Sequence, residues 1–537
     1  MRYGFVIDQG GCIGCHACTV ACKTEHEVPL GVNRTWVKYV EKGEWPDTKR
    51  FFSVMRCNHC TDAPCVEICP TSALFKRKDG IVDFDTDRCI GCKSCMQACP
   101  YDALYIDPGE NTAQKCNYCT HRVEVGIEPA CVVVCPEHAI IAGDLDDPDS
   151  RISQIVATEQ VFVRAPEQGT NPNLFYMGVE ASNIDPLGSK PLTDGGMWRD
   201  PTETLQSWLT VDLTPQVPPT GPIGNLGVVD SAPTAPPPVD FGKHGTPPRV
   251  VYNTEHPMPW GWRVSSYFLT KGIAAGIAMA ALVAILSGAT TDNGWMRWGA
   301  PLFGGLLLLA TGVLLVWDLK RPDRFFYLIT KGNTGSWLVR GAYILGLFAA
   351  AMAVWFLGGI FGAGSGFIET MAWIGAIIGV AVAGYTAFLF GQAEARDLWQ
   401  SPILLWHMVA GALAAGGGFS YLATLFFDVG EDAERGFGIT LVAGAIALGL
   451  VAVAELTQRH PTRNIADAMH HMTKGKFATQ WWVGGQLVGV VIPIVLGVIA
   501  LLTGEPIWGV LGGIAAMAGI WFADDAFVKA GQSVPLS

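Results

Sequence analysis

Charged side chains are scarce in this sequence, and basic ones are scarcer than acidic ones. Only 16% of the 537 residues are Asp, Glu, Lys or Arg, where an average soluble protein has about 25%. The formal net charge is −12, so the chain lacks the basic surface that nucleic-acid binding requires. The first residues, MRYGFVIDQGGC, contain neither an extended apolar stretch nor a twin-arginine signal. We therefore do not expect a signal peptide there.

Cysteine and apolar residues are distributed unevenly along the chain. Residues 1–256 contain all 16 cysteines and most of the charge. The rest consists of long apolar runs separated by short polar loops, and half of all residues in the chain are apolar. The sequence therefore predicts a metal-rich domain followed by a membrane domain.

The sixteen cysteines form four runs of four, and none is left over. The runs are Cys12, Cys15, Cys18 and Cys22; Cys57, Cys60, Cys65 and Cys69; Cys89, Cys92, Cys95 and Cys99; and Cys116, Cys119, Cys131 and Cys135. The first and third runs have the spacing C-x2-C-x2-C-x3-C. In two-cluster ferredoxins the last cysteine of each run binds the other cluster. The spacing therefore predicts four [4Fe–4S] clusters.

Three other uses of these cysteines fit less well. Disulfides are typical of secreted chains, and zinc ribbons use isolated C-x2-C pairs. Cys12 to His16 match the C-x-x-C-H haem-attachment pattern, but Cys18 and Cys22 continue the run as a ferredoxin motif. Sixteen ligands for four cubes leave no iron open to a substrate, so this half is interpreted as an electron-transfer domain. We expect its folding to depend on cluster binding.

Segments around the cysteine runs indicate a family. They are RCNHCTDAPCVEICPTSAL (56–74), KCNYCTHRVEVGIEPACVVVCP (115–136), GDLDDPDSRISQIV (143–156) and PEQGTNPNLFYMG (166–178). Residues 1–195 thus resemble the four-cluster electron-transfer subunits of molybdopterin oxidoreductases, such as those of dimethyl sulfoxide reductase and polysulfide reductase. The resemblance implies a duplicated, bacterial-ferredoxin-like α+β domain that serves a separate molybdenum or tungsten bis-pterin catalytic subunit.

The resemblance also implies how the cysteines pair, with the first run joined to the fourth and the second to the third. The implied ligand sets are Cys12, Cys15, Cys18 and Cys135; Cys116, Cys119, Cys131 and Cys22; Cys57, Cys60, Cys65 and Cys99; and Cys89, Cys92, Cys95 and Cys69. Some relatives replace one ligand and hold a three-iron cluster, but every position here is cysteine. By resemblance, the end formed by the first and fourth runs faces the catalytic subunit.

A proline-rich segment separates the two halves. Residues 215–260 contain 12 of the 33 prolines, a composition that cannot build a helix or a central strand and predicts a semi-extended spacer. We therefore divide the chain into an iron–sulfur domain at 1–195, a proline-rich extension and linker at 196–260, and a membrane domain at 261–537.

Apolar runs of 18 residues or more predict membrane-spanning helices. The second half contains eight, at about 264–289, 299–317, 338–361, 370–391, 402–427, 436–456, 482–503 and 506–524, so we expect an all-α bundle of eight helices. Lys and Arg number fourteen on the linker side and two, Arg297 and Arg435, on the other side. Because cytoplasmic loops are rich in Lys and Arg, this asymmetry predicts that the iron–sulfur domain faces the cytoplasm from the inner membrane.

The membrane half contains a second set of diagnostic segments, SSYFLTKGIAAG (265–276), DLKRPDRFFYLITKGNTGSWLVRGAYILG (318–346) and GQAEARDLWQSPILLWHMVAGALAAG (391–416). It resembles the NrfD/PsrC-type membrane subunits, and this implies electron exchange with menaquinone or ubiquinone, as quinone or quinol, without haem. The sequence agrees with the absence of haem. A membrane anchor that binds two haems needs paired histidines inside its helices, and His407 is the only histidine inside a predicted helix.

Ionisable residues inside membrane helices are costly and indicate function by default. Tyr267, Lys271, Asp318 and His407 all fall in the linker-side half of the predicted bundle. We predict that they bind a quinone headgroup. The alternative is that Lys271 snorkels, Asp318 caps a loop and His407 makes a hydrogen bond between helices.

The sequence has no nucleotide-binding glycine motif, flavin motif or pterin site. Our leading hypothesis is therefore an electron-transfer and membrane-anchor subunit that does not itself transform the substrate. An iron–sulfur and quinone module partnered with cytochrome c or a thiol–disulfide system is the alternative, and a sensing or assembly scaffold is a third. The substrate and the direction of electron flow stay open.

Overall fold

The computed structural model describes residues 1–43, 46–191, 247–255 and 257–537. These residues form two compact units, one of Met1–Pro257 with Pro535–Ser537 and the other of Met258–Val534. Most of the proline-rich linker lies outside the described residues. The domain limits at 195 and 260 therefore stay a prediction.

The first unit is built on short β-strands. They are β1 Tyr3–Asp8, β2 Thr35–Lys42, β3 Lys49–Arg56, β4 Leu74–Lys76, β5 Val82–Phe84, β6 Leu104–Ile106, β7 Ala113–Lys115, β8 Ile140–Asp144, β9 Leu174–Met177 and β10 Arg249–Tyr252. They form two three-stranded sheets, in the orders β8-β1-β9 and β10-β2-β3, and the hairpins β4-β5 and β6-β7. Strand β10 comes from the linker and lies at a sheet edge, where neighbouring prolines are tolerated.

Seven short helices join these strands. They are α1 Ala17–Glu25, α2 Pro64–Glu67, α3 Ser94–Ala98, α4 Thr120–Val123, α5 Ala130–Val133, α6 Arg151–Thr158 and α7 Ala181–Ile184. Helices α2 and α3 pack together, and each contains one cysteine and precedes one of the two hairpins. This repeat is the duplicated ferredoxin-like arrangement, so the predicted α+β fold is confirmed.

Cysteines are part of the core of the first unit. Cys18 and Cys131 lie in the same buried cluster as Phe5, Val37 and Leu174. A second, smaller apolar cluster joins Val6 of β1, Ile141 of β8 and Phe175 of β9 to Ile152 of α6. The cysteines and whatever they bind therefore occupy space that apolar side chains would fill in an ordinary domain of this size.

The second unit is entirely helical. Its helices are α8 Trp262–Leu286, α9 Trp295–Asp318, α10 Tyr327–Thr330, α11 Trp337–Ile360, α12 Ser365–Gly391, α13 Leu404–Ala423, α14 Glu431–Thr457, α15 Arg463–Thr473, α16 Gln480–Thr503 and α17 Pro506–Ser533. Many Leu, Ile, Val and Phe side chains are exposed on their outer faces, as lipid contact requires. The unit makes the protein a multi-pass membrane protein.

Among the described residues, seven helices are long and apolar enough to cross a membrane, one fewer than the eight predicted. The eighth, α13, forms at the predicted position, but Gly416, Gly417, Gly418 and His407 make it less apolar. Helix α13 packs against α8, α12, α14 and α17. A helix enclosed by other helices needs fewer lipid-facing apolar residues, so the count from sequence and the count from structure differ at this helix.

Small residues allow the helices around α13 to approach closely. A Cβ atom on Gly276 of α8 would lie 1.9 Å from the carbonyl oxygen of Ala412, and one on Gly416 would lie 2.0 Å from the carbonyl carbon of Gly276. On the other side of α13, Gly418 meets Gly513 of α17 in a similarly close contact. Backbone-to-backbone contact of this kind is how membrane helices associate without a hydrophobic driving force.

Candidate functional site

All sixteen cysteines lie in the described part of the first unit, and none forms a disulfide. Twelve are buried, Cys12, Cys92 and Cys135 are half-buried, and only Cys15 is exposed. Cys15 is therefore the most exposed of the sixteen cysteines in this unit.

Left-handed turns shape the loops of the first and third runs. Gly14 and Gly91 have φ angles of 71° and 66°, and His16 and Lys93 have φ angles of 61° and 64°. Glycine adopts such angles without strain, which explains the shared Cys-Ile-Gly-Cys sequence. The turn directs backbone N–H groups toward sulfur, and the amide of Gly91 donates to Cys89 Sγ at 3.4 Å. These loops are shaped to surround a group that binds through sulfur.

One cavity is lined by four cysteines that come from two runs. We call them the Cys12 group: Cys12, Cys15, Cys18 and Cys135. Val37, Val54 and Ile140 are among the apolar residues of its wall. Three members belong to the first run and the last belongs to the fourth.

A second cavity repeats this arrangement. It is lined by the Cys57 group: Cys57, Cys60, Cys65 and Cys99. Its wall includes the apolar residues Val82 and Leu104. Three members come from the second run and the last from the third.

The other eight cysteines fall into two further groups. In the Cys89 group, Cys95 lies within electrostatic range of Cys69, Cys89 and Cys92. In the Cys116 group, both Cys116 and Cys119 lie within electrostatic range of Cys22 and Cys131. Each group again joins three cysteines of one run to the last cysteine of the partner run.

Cysteines of different groups that lie within electrostatic range of each other order the groups in a row. Cys18 of the Cys12 group lies near Cys131 of the Cys116 group. Cys116 in turn lies near Cys57, and Cys65 of the Cys57 group lies near Cys95 of the Cys89 group. The order is thus Cys12 group, Cys116 group, Cys57 group and Cys89 group, a linear series such as stepwise electron transfer needs.

The thiols of these groups fit a metal cluster better than free cysteine. Burial raises the pKa of Cys18 and of Cys92 to about 12, and that of Cys99 to about 11. Thiols with such pKa values are inert at neutral pH unless a metal holds them as thiolates. No three His, Cys, Asp or Glu side chains of the described ranges converge on one metal ion. In a [4Fe–4S] cube each thiolate binds a different iron atom, so such convergence is not needed.

In the second unit, Lys271 of α8 is a buried cation within the helix bundle. Its Nζ donates to the carbonyl oxygen of Ala383 at 3.1 Å and to Thr386 Oγ1, both on α12. The ammonium group also lies 4.7 Å from the ring centre of Tyr385. Lys271 is 1% exposed, so it does not snorkel to the surface of the unit.

His407 of α13 pairs with an acid that the sequence analysis missed. Its Nε2 lies 2.9 Å from Asp524 Oδ1, and Glu455 lies within electrostatic range. We expected the last helix to end at residue 524, but α17 continues to Ser533 and places Asp524 inside it. The next residue, Asp525, accepts hydrogen bonds from Ser265, Gln480 and Lys529.

Asp524 lies close to three of the four residues predicted to bind quinone. Lys271 and Tyr267 lie within its electrostatic range, and His407 contacts it directly. Tyr267 is also within electrostatic range of Asp318, at the end of α9. We call the set formed by Tyr267, Lys271, Asp318, Thr386, Tyr385, His407 and Asp524 the polar membrane site. The only sequence signal for Asp524 was the absence of a helix breaker before Pro535.

Two family models match the chain. The 4Fe–4S dicluster domain matches residues 48–145. The polysulphide reductase NrfD family matches residues 250–535, more than half of the chain. The first match contains the cysteines of the last three runs. The second contains the whole polar membrane site.

The first unit is also similar to components of named reductases. It is 44% identical over 190 residues to a subunit of tetrathionate reductase from Salmonella typhimurium, a match that covers 35% of this chain and 76% of the relative. It is 40% identical over 189 residues to a polysulfide reductase component of Wolinella succinogenes, a match that covers 34% of this chain and 98% of the relative. It is 36% identical over 225 residues to the arsenate respiratory reductase iron–sulfur subunit of a Shewanella species, a match that covers 33% of this chain and 96% of the relative.

Each of these relatives matches only about a third of this chain, and each is covered over more than two thirds of its own length. The NrfD match accounts for the second unit. The protein therefore belongs to the polysulphide reductase NrfD family and carries, ahead of its membrane unit, a member of the family of reductase iron–sulfur subunits.

Proposed function

We propose that this chain is the electron-transfer and membrane-anchor subunit of an oxidoreductase complex. Electrons pass between a separate molybdenum or tungsten bis-pterin subunit and membrane quinone or quinol. The observation that carries the proposal is the pair of cavities, each lined by three cysteines of one run and the last cysteine of its partner run. When bound to the cysteines, [4Fe–4S] clusters supply one-electron transfer.

In this proposal the Cys12, Cys116, Cys57 and Cys89 groups hold one cluster each. Their electrostatic contacts place neighbouring groups side by side. The protein holds the thiolates in fixed positions, excludes water from most of them and leaves Cys15 exposed. The Cys12 group, at one end of the row, therefore reaches the surface, where a partner protein can exchange electrons.

Apolar side chains are exposed on the segments around Cys15, which suits a protein partner. Ile13, Val20, Val133 and Val134 are all exposed on the segments that contain the first and fourth runs. Exposed apolar side chains in one region mark protein-interaction sites. We therefore assign this surface to the catalytic subunit.

We assign the quinone headgroup to the polar membrane site. An ammonium group has three N–H donors, and Lys271 gives two of them to Ala383 and Thr386. We assign the third to a carbonyl oxygen of the quinone. The hydrogen bond between His407 and Asp524 can hold a proton that enters or leaves the headgroup. Tyr267 and Asp318 complete the proposed site, and no haem is needed.

The direct test is metal analysis of the complex. The tagged chain is extracted gently from native membranes, and iron, molybdenum and tungsten are measured in the material that co-purifies with it. We expect about sixteen iron atoms per chain, as four cubes require, and one molybdenum or tungsten atom in a large second subunit. Iron without either metal would refute the proposed partner and favour the cytochrome c or thiol–disulfide module.

A further inference from the structure

Arg56, the last residue of β3, is a fully buried cation between two cysteine groups. It is 0% exposed, and its guanidinium stacks on Phe5 with the carbon 4.5 Å from the ring centre. Its Nη1 donates to Cys131 Sγ at 3.0 Å. Cys116 of the same group and Cys18 of the Cys12 group also lie within its electrostatic range. The side chain thus lies at the junction between the Cys12 and Cys116 groups.

Two further donor atoms of Arg56 have no protein partner in the described part of the chain. Within the described ranges, Nε and Nη2 are buried and make no hydrogen bond. A buried cation that lacks a counter-charge is strongly destabilising, and the electrostatic partners of Arg56 among the described residues are cysteines, not carboxylates. The groups that face it are thiols, which become negative when they bind iron. Its unpaired N–H groups therefore need acceptors that cluster sulfur atoms can supply.

We propose that Arg56 is a positioning residue that raises the reduction potentials of the two clusters beside it, those of the Cys12 and Cys116 groups. It holds Cys131 by a hydrogen bond and offers Nε and Nη2 to cluster sulfur. Hydrogen bonds to sulfur and net charge are among the factors that set cluster potentials. A fixed positive charge stabilises the reduced cluster, which carries one more electron, over the oxidised one.

This inference rests on the proposed function, because it requires clusters at both groups. The experiment is a redox titration of the purified complex, followed by electron paramagnetic resonance, for wild type, Arg56→Gln and Arg56→Lys. Iron content is measured in every sample. If the wild type held no clusters, the proposed function would fail first and the iron measurement would show it.

For Arg56→Gln we expect two of the four cluster potentials to fall. At a fixed potential, the ratio of oxidised to reduced cluster should rise at least about tenfold. For a one-electron couple this corresponds to a fall in the reduction potential of about 59 mV. The clusters of the Cys57 and Cys89 groups should keep their potentials. Arg56→Lys keeps the charge but offers fewer N–H groups in a different geometry, so its shift should have the same sign and be smaller.

Arg164→Gln is the matched control. Arg164 is also buried, at 2% exposure, but it donates to the backbone carbonyl oxygens of Ile184 and Leu536. It should leave the potentials of the two clusters beside Arg56 unchanged. Unchanged potentials in both Arg56 variants, with full iron content, would overturn the inference. Loss of these two clusters even in Arg56→Lys would also overturn it, because Arg56 would then be required for assembly.

Discussion

At the scale of single residues, Lys271 tests whether the polar membrane site handles quinone. A Lys271→Met variant keeps the length of the side chain but removes the donor that we assign to the headgroup oxygen. We expect cluster reduction by a quinol analogue to slow about 100-fold, the range typical of a lost proton-transfer or hydrogen-bonding group. Stopped-flow absorbance of the purified complex measures this rate.

Lys331→Met is the matched control for this experiment. Lys331 also lies over an aromatic ring, that of Tyr327 at 4.2 Å, but it is exposed and outside the spanning helices. Both variants should be reduced normally by dithionite, which does not need the quinone site. A wild-type rate with quinol in Lys271→Met would refute the assignment.

Lys38, in the middle of β2, gives a prediction about pH. It is fully buried and its Nζ has no hydrogen-bond partner within the described ranges. Burial, with a smaller effect from Arg164, lowers the pKa of Lys38 to about 7, although Asp185 acts in the opposite direction. The charged form is therefore disfavoured in the folded state.

The sign of the pH effect follows from this lowered pKa. Between pH 7 and 10.5 the unfolded chain keeps a proton on Lys38 that the folded chain releases. The wild type should therefore gain stability as pH rises, by at most about 1.4 kcal/mol per pH unit. Lys38→Met should be more stable than the wild type at about pH 6, and its advantage should shrink by about pH 9.

Thermal unfolding of the complex, followed by cluster absorbance at several pH values, measures this difference. Lys42→Met is the control, because Lys42 lies on the same strand but pairs with Glu180 at 3.3 Å near the surface. Its effect should not vary in the same way over this pH range. An advantage of Lys38→Met that stays constant with pH would contradict the prediction.

At the scale of secondary-structure elements, the close contact between α8 and α13 depends on glycine. A Cβ atom at Gly276 would overlap the backbone of Ala412, so Gly276→Ala must push the two helices apart. We expect a loss of about 3 kcal/mol, the upper part of the range for overpacking. Thermal stability of the detergent-solubilised complex measures the loss.

Gly346→Ala is the opposite case within the same unit. A Cβ atom at Gly346 of α11 would meet nothing within 4 Å. Alanine there should stabilise the helix by about 0.5–1 kcal/mol, because glycine loses more backbone entropy on folding. Equal effects of the two substitutions would mean that helix propensity, and not helix contact, controls stability here.

Elements set by strong local patterns could be predicted from the sequence. The cysteine spacings indicated a ferredoxin-like domain, and the apolar runs located every long helix of the second unit. The predictions that failed concerned features that depend on contacts between elements. Asp524 looked like the end of a helix until α17 proved to continue past it. The glycines of α13 make its sequence less apolar, and their role is to let neighbouring helices pack closely against it. The helix Arg463–Thr473 lies in a segment that we took for a loop.

The role of Arg56 also could not be predicted from the sequence. It directly precedes Cys57 of the second run, yet it contacts Cys131 of the fourth. A contact that joins residues 75 positions apart has no local signal in the spacing of either run. The polar membrane site was partly predictable for the opposite reason, since an ionisable residue is conspicuous in an apolar helix.

At the scale of the whole molecule, each unit concentrates one kind of chemistry. The first unit contains the row of cysteine groups, and the second contains buried acidic, basic and phenolic side chains inside a lipid-facing shell. An ordinary core needs neither arrangement, because buried charges cost stability unless they are paired, and a buried thiol packs like any small apolar side chain, so packing alone does not call for cysteines in groups of four. Their presence in one chain is the physical reason to assign it electron transfer coupled to quinone chemistry.

The orientation of the chain is the last prediction. The sequence predicts fourteen Lys and Arg residues on the linker side of the spanning helices against two on the other side. One of those two, Arg297, is paired with Asp292 at 2.8 Å. We therefore expect the first unit to face the cytoplasm. An epitope tag at Met1 should bind antibody in inverted membrane vesicles and not in right-side-out ones.

A second tag, inserted between α11 and α12 next to Gly362, serves as the control. That connection is short, and Gly362 adopts a φ angle of 78° in a turn, so an insertion there should leave both helices intact. This tag should bind antibody only in right-side-out vesicles, because it lies on the side with few cations. If both tags reversed their accessibility, the Lys and Arg residues would have to be explained differently. They would then bind an acidic partner and would not retain these loops in the cytoplasm.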